Sequence, residues 1–600
     1  MNEAGDFEAV ENERATLKLQ ELFAPVLAAG KLSAKTYFPA LDKSFTREER
    51  IGMALNMGNE VNRERVLSGE RLSPGQLQGV LDTLTKEDWD FVQGVWDYLE
   101  SFRPQIAAKE RRLTGIEPAW VEPTPVQTKF GEYKGGYYPI KYDPLRSTRA
   151  EADTNAEVQR QIERGMYTRA MTRRGHLKER SESTGRPIRY DLNVIFEHVQ
   201  QVVHDLAWHE YLVDANRLLR AGVVDTAIRT HYGPEINRTM RDTLRDVAIG
   251  NMGALDSLDK LMNHLRTGST VVGLGWRVTT SLLQPLGLTQ TAARIGTKWM
   301  LKGIKHWAGD SLRLENSAKQ IYAMSDFMRL RAKTMQREIN EIRNKVQGKD
   351  SKLQASYFYL IQKAQLIADI PTWWGAYEKA MAENGMSEDR AIALADQAVL
   401  DSQGGGQVKD LAAIQRGGAG KKLFTSFYSF FNTTYNLTAE VVGRTDFKKP
   451  RDGAMLVCDL LLLYTIPAAV STLIKAALHG DDDQEKLLRS LIADQLNYLF
   501  GTMVLLREAG AAVQATAGAG GVEYTGPVAV RFFAELAKLG KQVQQGEPDE
   551  AFWKALNSVA GIIFHYPAGQ INSTISGINA LADGKTESPG ALLVGAPPKK

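Results

Sequence analysis

The chain has 600 residues, of which 24% are charged and 43% hydrophobic, with a mean hydropathy of −0.30. That length exceeds what one core needs, so about three or four domains are expected. The formal net charge of +3 points to no particular partner, and the single cysteine, Cys458, excludes an intramolecular disulfide framework and a multi-cysteine zinc site.

Residues 1–114 read as an N-terminal helical domain. Its start, MNEAGDFEAVENERAT, has no basic segment leading into an apolar run. No secretory signal is therefore expected, and synthesis should take place in a reducing cytoplasm. Thr46-Arg47-Glu48-Glu49 has the capping-box spacing, and Thr85-Lys86-Glu87-Asp88 offers the same start with an aspartate, ahead of Trp89, Val92, Val95 and Trp96. Over 115–190 the pattern changes. The stretch IEPAWVEPTPVQTKFGEYKGGYYPIKYDP is rich in Pro, Gly and Tyr and has no helical period. It predicts an extended loop or short hairpin near 115–145 that covers helices. A polar, basic connector follows, with Arg164, Arg169, Arg173, Arg174, Lys178, Arg180, Arg186 and Arg189. Such a run is a solvated connector, a phosphate-binding arm or a dock for an acidic neighbouring subunit.

Residues 191–350 read as a long-helix basic domain. A helix is predicted from Asp191 to about Arg220, with His198, Asp205 and His209 on one face. Their spacing fits no standard metal motif, so a polar face between helices is expected and no metal. Thr267–Gly287 is apolar and ends at Pro285. It predicts a packed helix, with lipid insertion or an oligomer seam as the alternative. Gly273-Leu274-Gly275 is not a dinucleotide fingerprint, because no strand precedes it and the third glycine is missing. Residues 260–349 hold 16 Lys or Arg against 5 Asp or Glu. Within them a basic helix carries Arg329, Arg331, Lys333 and Arg337; these cations are either solvated or touch nucleic acid or anionic lipid.

Residues 351–422 predict a helical domain with glycine-rich hinges. Ser387-Glu388-Asp389-Arg390 starts a helix that Gly404-Gly405-Gly406 must end, since a glycine costs about 1 kcal/mol inside a helix. Gly417, Gly418 and Gly420 precede two lysines but lack the spacing of a phosphate loop, which leaves a flexible hinge.

Residues 423–600 form an apolar C-terminal helical region. Phe424, Phe427, Tyr428 and Phe431 define one helical face. Leu460–Ile474, which includes Leu461, Leu462, Ile466 and Pro467, is fifteen residues without a charge. A bilayer core needs about twenty. Ala555–Ala582, which includes Ile562 and Ile563, has no Asp, Glu, Lys or Arg over 28 residues. Its Gly561, Ala568, Ser573 and Gly577 are the small residues that membrane helices use at contacts. Buried core helices, conditional insertion and constitutive spans are the alternatives. A constitutive membrane protein would show clearer runs.

The stretch from Asp369 to Asn436 resembles the C-terminal part of the large polyvalent proteins of tailed phages and prophages. Gly135-Gly136-Tyr137-Tyr138-Pro139-Ile140, Gly185-Arg186-Pro187-Ile188-Arg189-Tyr190, Leu274-Gly275-Trp276 and Gln284-Pro285-Leu286-Gly287-Leu288 are similar to the same pattern. Together they cover roughly residues 85 to 440. The resemblance implies a protein that travels inside the virion and enters the cell with the DNA, and it describes no catalytic chemistry.

The expected fold is mainly α, an elongated multi-helix architecture with one short extended or hairpin segment near 115–145. No nucleophile elbow, zinc signature, kinase set or phosphate loop is found, so no enzyme, cofactor or metal is expected; an unrecognised hydrolase is the residual alternative. The expected function is that of a non-enzymatic phage internal virion protein. It would be released at infection to help form a conduit for the genome across the cell envelope. Its expected partners are further copies of itself, other virion or portal-associated proteins, phage DNA, and the host membrane after ejection. A DNA-associated protein co-injected with the genome and acting in the host cytoplasm is the second expectation.

Overall fold

The computed structural model describes residues 2–143, 187–249, 257–309, 314–334, 356–383, 386–405, 408–416, 429–479 and 550–597, with isolated positions between 491 and 539. They gather into two compact units, Met1–Leu255 and Asp256–Lys600. The region read as 191–350 is thus divided between the two. The fold is mainly α, with two small antiparallel hairpins among the described residues.

In the first unit, α1 (Asn2–Ala28), α2 (Arg47–Leu55), α3 (Glu60–Glu70), α4 (Pro74–Leu81), α5 (Lys86–Glu100) and α6 (Arg103–Thr114) are followed by α7 (Asn193–Arg220), α8 (Gly222–Tyr232) and α9 (Pro234–Ile249). Both capping boxes form. Thr46 and Glu49 close the start of α2, and Thr85 and Asp88 the start of α5. A third, Ser73 with Gln76, starts α4. Asp88 has a second partner, because the buried Arg47 guanidinium donates to it at 2.6 Å. The cap of α5 and the first turn of α2 are therefore held by one carboxylate.

One expectation needs correcting. Residues 1–114 are not all helical: β1 (Lys35–Phe38) pairs with β2 (Lys43–Thr46), Lys35 opposite Thr46. The signal was present in KTYF and KSFT, flanking Pro39 and a left-handed Asp42 at φ 48°. The predicted hairpin near 115–145 is β3 (Val126–Thr128) with β4 (Gly131–Tyr133).

The two Gly/Tyr motifs meet in this unit. The Asp143 amide donates to the Pro187 carbonyl (2.9 Å), and the Arg189 amide to the Lys141 carbonyl (2.8 Å). Tyr138, Ile188 and Tyr190 enter the core beside Trp96, whose indole donates to the Leu55 carbonyl. Gly135, at φ +79°, passes so close to Thr124 that a Cβ there would lie 2.1 Å from its carbonyl oxygen. Only glycine fits that crossing.

Arg189 links the motif to α7, contacting Asp191 (2.9 Å) and Glu197 (3.2 Å), while Lys141 reaches Glu197 at 2.6 Å. Burial alone raises both carboxyls. The neighbouring cations outweigh it, Arg189 at Asp191 and Lys141 with Arg189 at Glu197, and hold both below the usual carboxylate range. For acids whose folded pKa is depressed, the stabilisation is complete above the unfolded value of about 4 and lost as pH falls through the folded value. Wild-type protein should therefore lose stability below about pH 4 more steeply than Arg189→Met. Equal slopes in acid melts would show that the network contributes nothing.

The second unit is built from α10 (Ser257–Leu274), α11 (Val278–Leu283), α12 (Gly287–Ile295), α13 (Thr297–Gly309), α14 (Leu314–Met324), α15 (Asp326–Thr334), α16 (Tyr359–Met381), α17 (Glu388–Gln403) and α18 (Ser429–Gly443). Then come α19 (Pro450–Leu460), a π-helical turn (Leu461–Thr465), α20 (Ile466–His479), α21 (Glu550–Phe564), α22 (Ala568–Ala582) and α23 (Ala591–Val594). Ile295, Ile321, Ile370, Trp373, Trp374 and Val399 form its main apolar cluster. Beside that cluster lies a buried polar layer. Gln290 donates to Thr434 (2.8 Å), the hydroxyls of Thr291 and Thr372 lie 2.5 Å apart, and Gln403 donates to the Gly287 carbonyl (2.9 Å). Buried polar groups are tolerated when each finds a partner, and they then fix how helices register.

Candidate membrane and assembly surface

Helices α19 and α20 and the turn between them form one continuous helix, Pro450–Leu478, of 29 residues. At 1.5 Å per residue it is about 43 Å long, against a hydrocarbon core of about 30 Å. Its stretch from Leu460 to Leu478 carries one charge, Lys475, while Asp459, just before it, pairs with Arg444 at 2.6 Å. A core helix in a soluble protein meets the same length and composition criteria but is mostly buried. Here only 17% of the apolar window is buried. Leu463, Ala468, Ser471 and Thr472 pack inward, whereas Met455, Val457, Leu461, Ile466 and Leu473 are exposed. Pro467 lacks an N–H, and its ring would clash with the carbonyl four residues back. The wider π turn immediately before it accommodates that ring. Thr472 bonds back to the Ala468 carbonyl (3.0 Å), so its hydroxyl is satisfied within the helix.

The α21–α22 hairpin has its polar groups inside and large apolar groups outside. Asn557 donates to Asn572 (2.7 Å), Asn572 to Ser558 (3.0 Å), the Tyr566 hydroxyl to Asn557 (2.6 Å) and Lys554 to Ser576 (3.1 Å). Trp553, Leu556, Ile563, Ile575 and Ile578 are exposed, and Phe564 at the tip is 72% exposed. In lipid, tails cannot drive helices together by hydrophobicity, so contacts rely on small residues and hydrogen bonds while apolar side chains face outward. Each helix of this pair is 15 residues, about 22 Å, too short to span a bilayer alone. The pair suits burial at an interface or against sister helices.

Glycines seat the hairpin on α10. A Cβ added at Gly268 would lie 1.8 Å from the Ile562 carbonyl oxygen. Gly268→Ala is expected to destabilise the protein by roughly 1–3 kcal/mol through overpacking, outweighing the ~1 kcal/mol that alanine gains over glycine in a helix. An unchanged thermal midpoint would show that the two helices separate readily.

The predicted site residues fare differently. Arg164, Arg169, Arg173, Arg174, Lys178, Arg180, Arg337, Phe424, Phe427, Tyr428, Gly406, Gly417, Gly418 and Gly420 lie outside the described residues. Arg331 is corrected. It is buried, its guanidinium pairs with Asp369 at 3.0 Å, and it donates to the Gly404 carbonyl at 2.6 Å, so it is not available to a phosphate. Arg329 is half-buried and pairs with Asp326 (2.9 Å), and Lys333 lies in α15. Gly404 ends α17 as expected, at φ +75°, but Arg331 anchors its carbonyl, which does not suit a hinge. Asp410 packs against Gly405. Phe431 and Leu462 are half-buried, Leu461, Ile466 and Ile563 are exposed, and Ile562 is corrected to a core residue.

His198, Asp205 and His209 are all buried. Asp205 forms an ion pair with Lys109 of α6, and His198 packs its ring on Tyr137. That polar face therefore joins helices. Among the described residues no three His, Cys, Asp or Glu side chains gather as metal ligands would. The inside-out hairpin escaped sequence reading, although its signal was the set of asparagines and serines inside an uncharged segment. Comparison with protein-family models, curated proteins and solved structures finds no match.

Proposed function

We propose that this chain is a non-enzymatic, self-associating helical protein whose second unit exchanges water for acyl chains or sister helices. On the motif resemblance, we further propose that it is a phage internal virion protein, released at infection to help form a conduit for the genome across the envelope. The observation that carries the membrane reading is the largely exposed apolar helix Pro450–Leu478. The inside-out hairpin α21–α22 supports it independently. The DNA-associated, co-injected alternative loses Arg331 from its set of free cations, because that side chain is committed to Asp369.

Vesicle flotation and dye leakage with the full chain test the membrane reading. Co-flotation that resists carbonate washing, together with leakage, is the expected result. A chain that stays in the aqueous phase at every lipid composition removes the mechanism. Peptide analysis of purified particles from a strain carrying the gene tests the virion part, and its absence from particles favours the cytoplasmic alternative.

A further inference from the structure

We infer that α13 is an electrostatic landing surface for anionic phospholipid headgroups, an inference that rests on the membrane reading above and names the lipid class it uses. No Asp or Glu occurs from Gly287 to Gly309. Lys298, Lys302 and Lys305 recur at i, i+4 and i+7 of α13, which places them on one side of the helix, and all three are exposed with Leu301 beside them. Gly303 faces the other way, packed against the Pro371 carbonyl of α16. Lys302 lies 3.7 Å from Glu378; among the described residues no carboxylate forms an ion pair with Lys298 or Lys305. The ammonium groups of Lys298 and Lys302 sit over the Trp299 ring, at 4.9 and 4.5 Å from its centroid.

The opposite side of α13 is apolar and packed against the core of the unit. Trp307, nine residues after Lys298 and so on the other side of the helix, is half-buried against the apolar cluster that holds Trp373 and Val399. His306, next to it, stacks on Trp374 at 3.9 Å and fixes this end of α13 against α16. Lysines grouped on the solvent side of one short helix, without acids and with its apolar side fixed to the protein, form a surface that anionic headgroups attract.

The position suits the role. α12 precedes α13, and its Ala293 shares a buried cluster with Leu463 of the apolar helix and with Leu437 and Val441 of α18. Adsorption through α13 would hold the unit that carries Pro450–Leu478 at the membrane before insertion.

The test compares full-length wild type, Lys298→Gln/Lys302→Gln/Lys305→Gln, the matching triple Lys→Arg variant and Ile466→Lys. Binding is measured to vesicles of neutral phosphatidylcholine and of phosphatidylcholine with phosphatidylglycerol, at low and high salt. Wild type should prefer the anionic vesicles and lose that preference with salt. The glutamine variant should bind them about a hundredfold more weakly, on the basis of roughly fivefold per lysine, while the arginine variant retains binding. Ile466→Lys should still adsorb in a salt-sensitive way yet fail to resist carbonate, which separates failure of insertion from failure of landing. A glutamine variant that adsorbs like wild type overturns the assignment and leaves the insertion reading standing. So does equal wild-type binding to neutral and anionic vesicles. If the three lysines lower DNA retention but not vesicle binding, nucleic acid is the polyanion and the lipid assignment fails.

Discussion

Ile466→Lys will leave the protein in water nearly as stable as wild type and will abolish its insertion into vesicles. The side chain is 40% exposed, so replacing it removes little packing. Substitutions at such surface positions usually fall within about ±0.5 kcal/mol. In a bilayer the same residue lies near the middle of the Leu460–Leu478 stretch, where a lysine costs about 3 kcal/mol, more than a hundredfold in partitioning. Leu461→Lys, at the end of that stretch, should do much less harm, because a lysine there can extend its ammonium to the headgroups. Depth dependence of this kind has no counterpart in a soluble helix. Equal carbonate resistance in wild type and Ile466→Lys would show that Pro450–Leu478 does not enter the hydrocarbon.

Asp369→Ala should be the most damaging change within the second unit. Asp369 is 1% exposed and accepts from Arg331 at 3.0 Å and from Gln365 at 3.2 Å. Removing it leaves a guanidinium buried without its counter-charge, and breaking such a pair from one side costs about 3–5 kcal/mol. The double variant Arg331→Met/Asp369→Leu should cost less than Asp369→Ala, since no lone charge then remains. It will not be silent, because the Gly404 carbonyl loses its donor. Urea melts of the three proteins decide this. A single variant within 1 kcal/mol of wild type would mean that water reaches the pair.

Helix starts were the most legible feature of the fold. Thr46 with Glu49 and Thr85 with Asp88 are local signals, because the bonds they make stay within one turn. Ser387 was legible in position, and Glu388 and Asp389 do fill the first turn of α17, although its hydroxyl makes no cap bond. The hairpin at Lys35–Thr46 was missed because two four-residue strands carry too few alternations to stand out between helices. Arg331 and Arg329 look alike in sequence, but burial separates them. Only the fold shows that α16 sets Asp369 beside the buried Arg331, whereas Arg329 pairs with Asp326 one turn back. The same holds for Ile562 and Ile563, adjacent residues of which one contacts Gly268 and the other faces out. The small-residue pattern of 555–582 pointed to close helix contacts, and Gly561 and Gly577 do lie against Ala568 and Ala591. Which side of each helix carries the asparagines followed only from the hairpin geometry.

The most direct measurement uses the one cysteine of the chain. With Cys458→Ser, a cysteine placed at 466 becomes the sole thiol. In buffer it should react rapidly with a water-soluble maleimide, as befits an exposed position. After addition of anionic vesicles it should become protected, and an environment-sensitive label at that site should shift to the blue and be quenched by nitroxides deep in the acyl chains. A thiol that reacts at the same rate with and without vesicles, and a label that never meets the deep nitroxides, would contradict the membrane account.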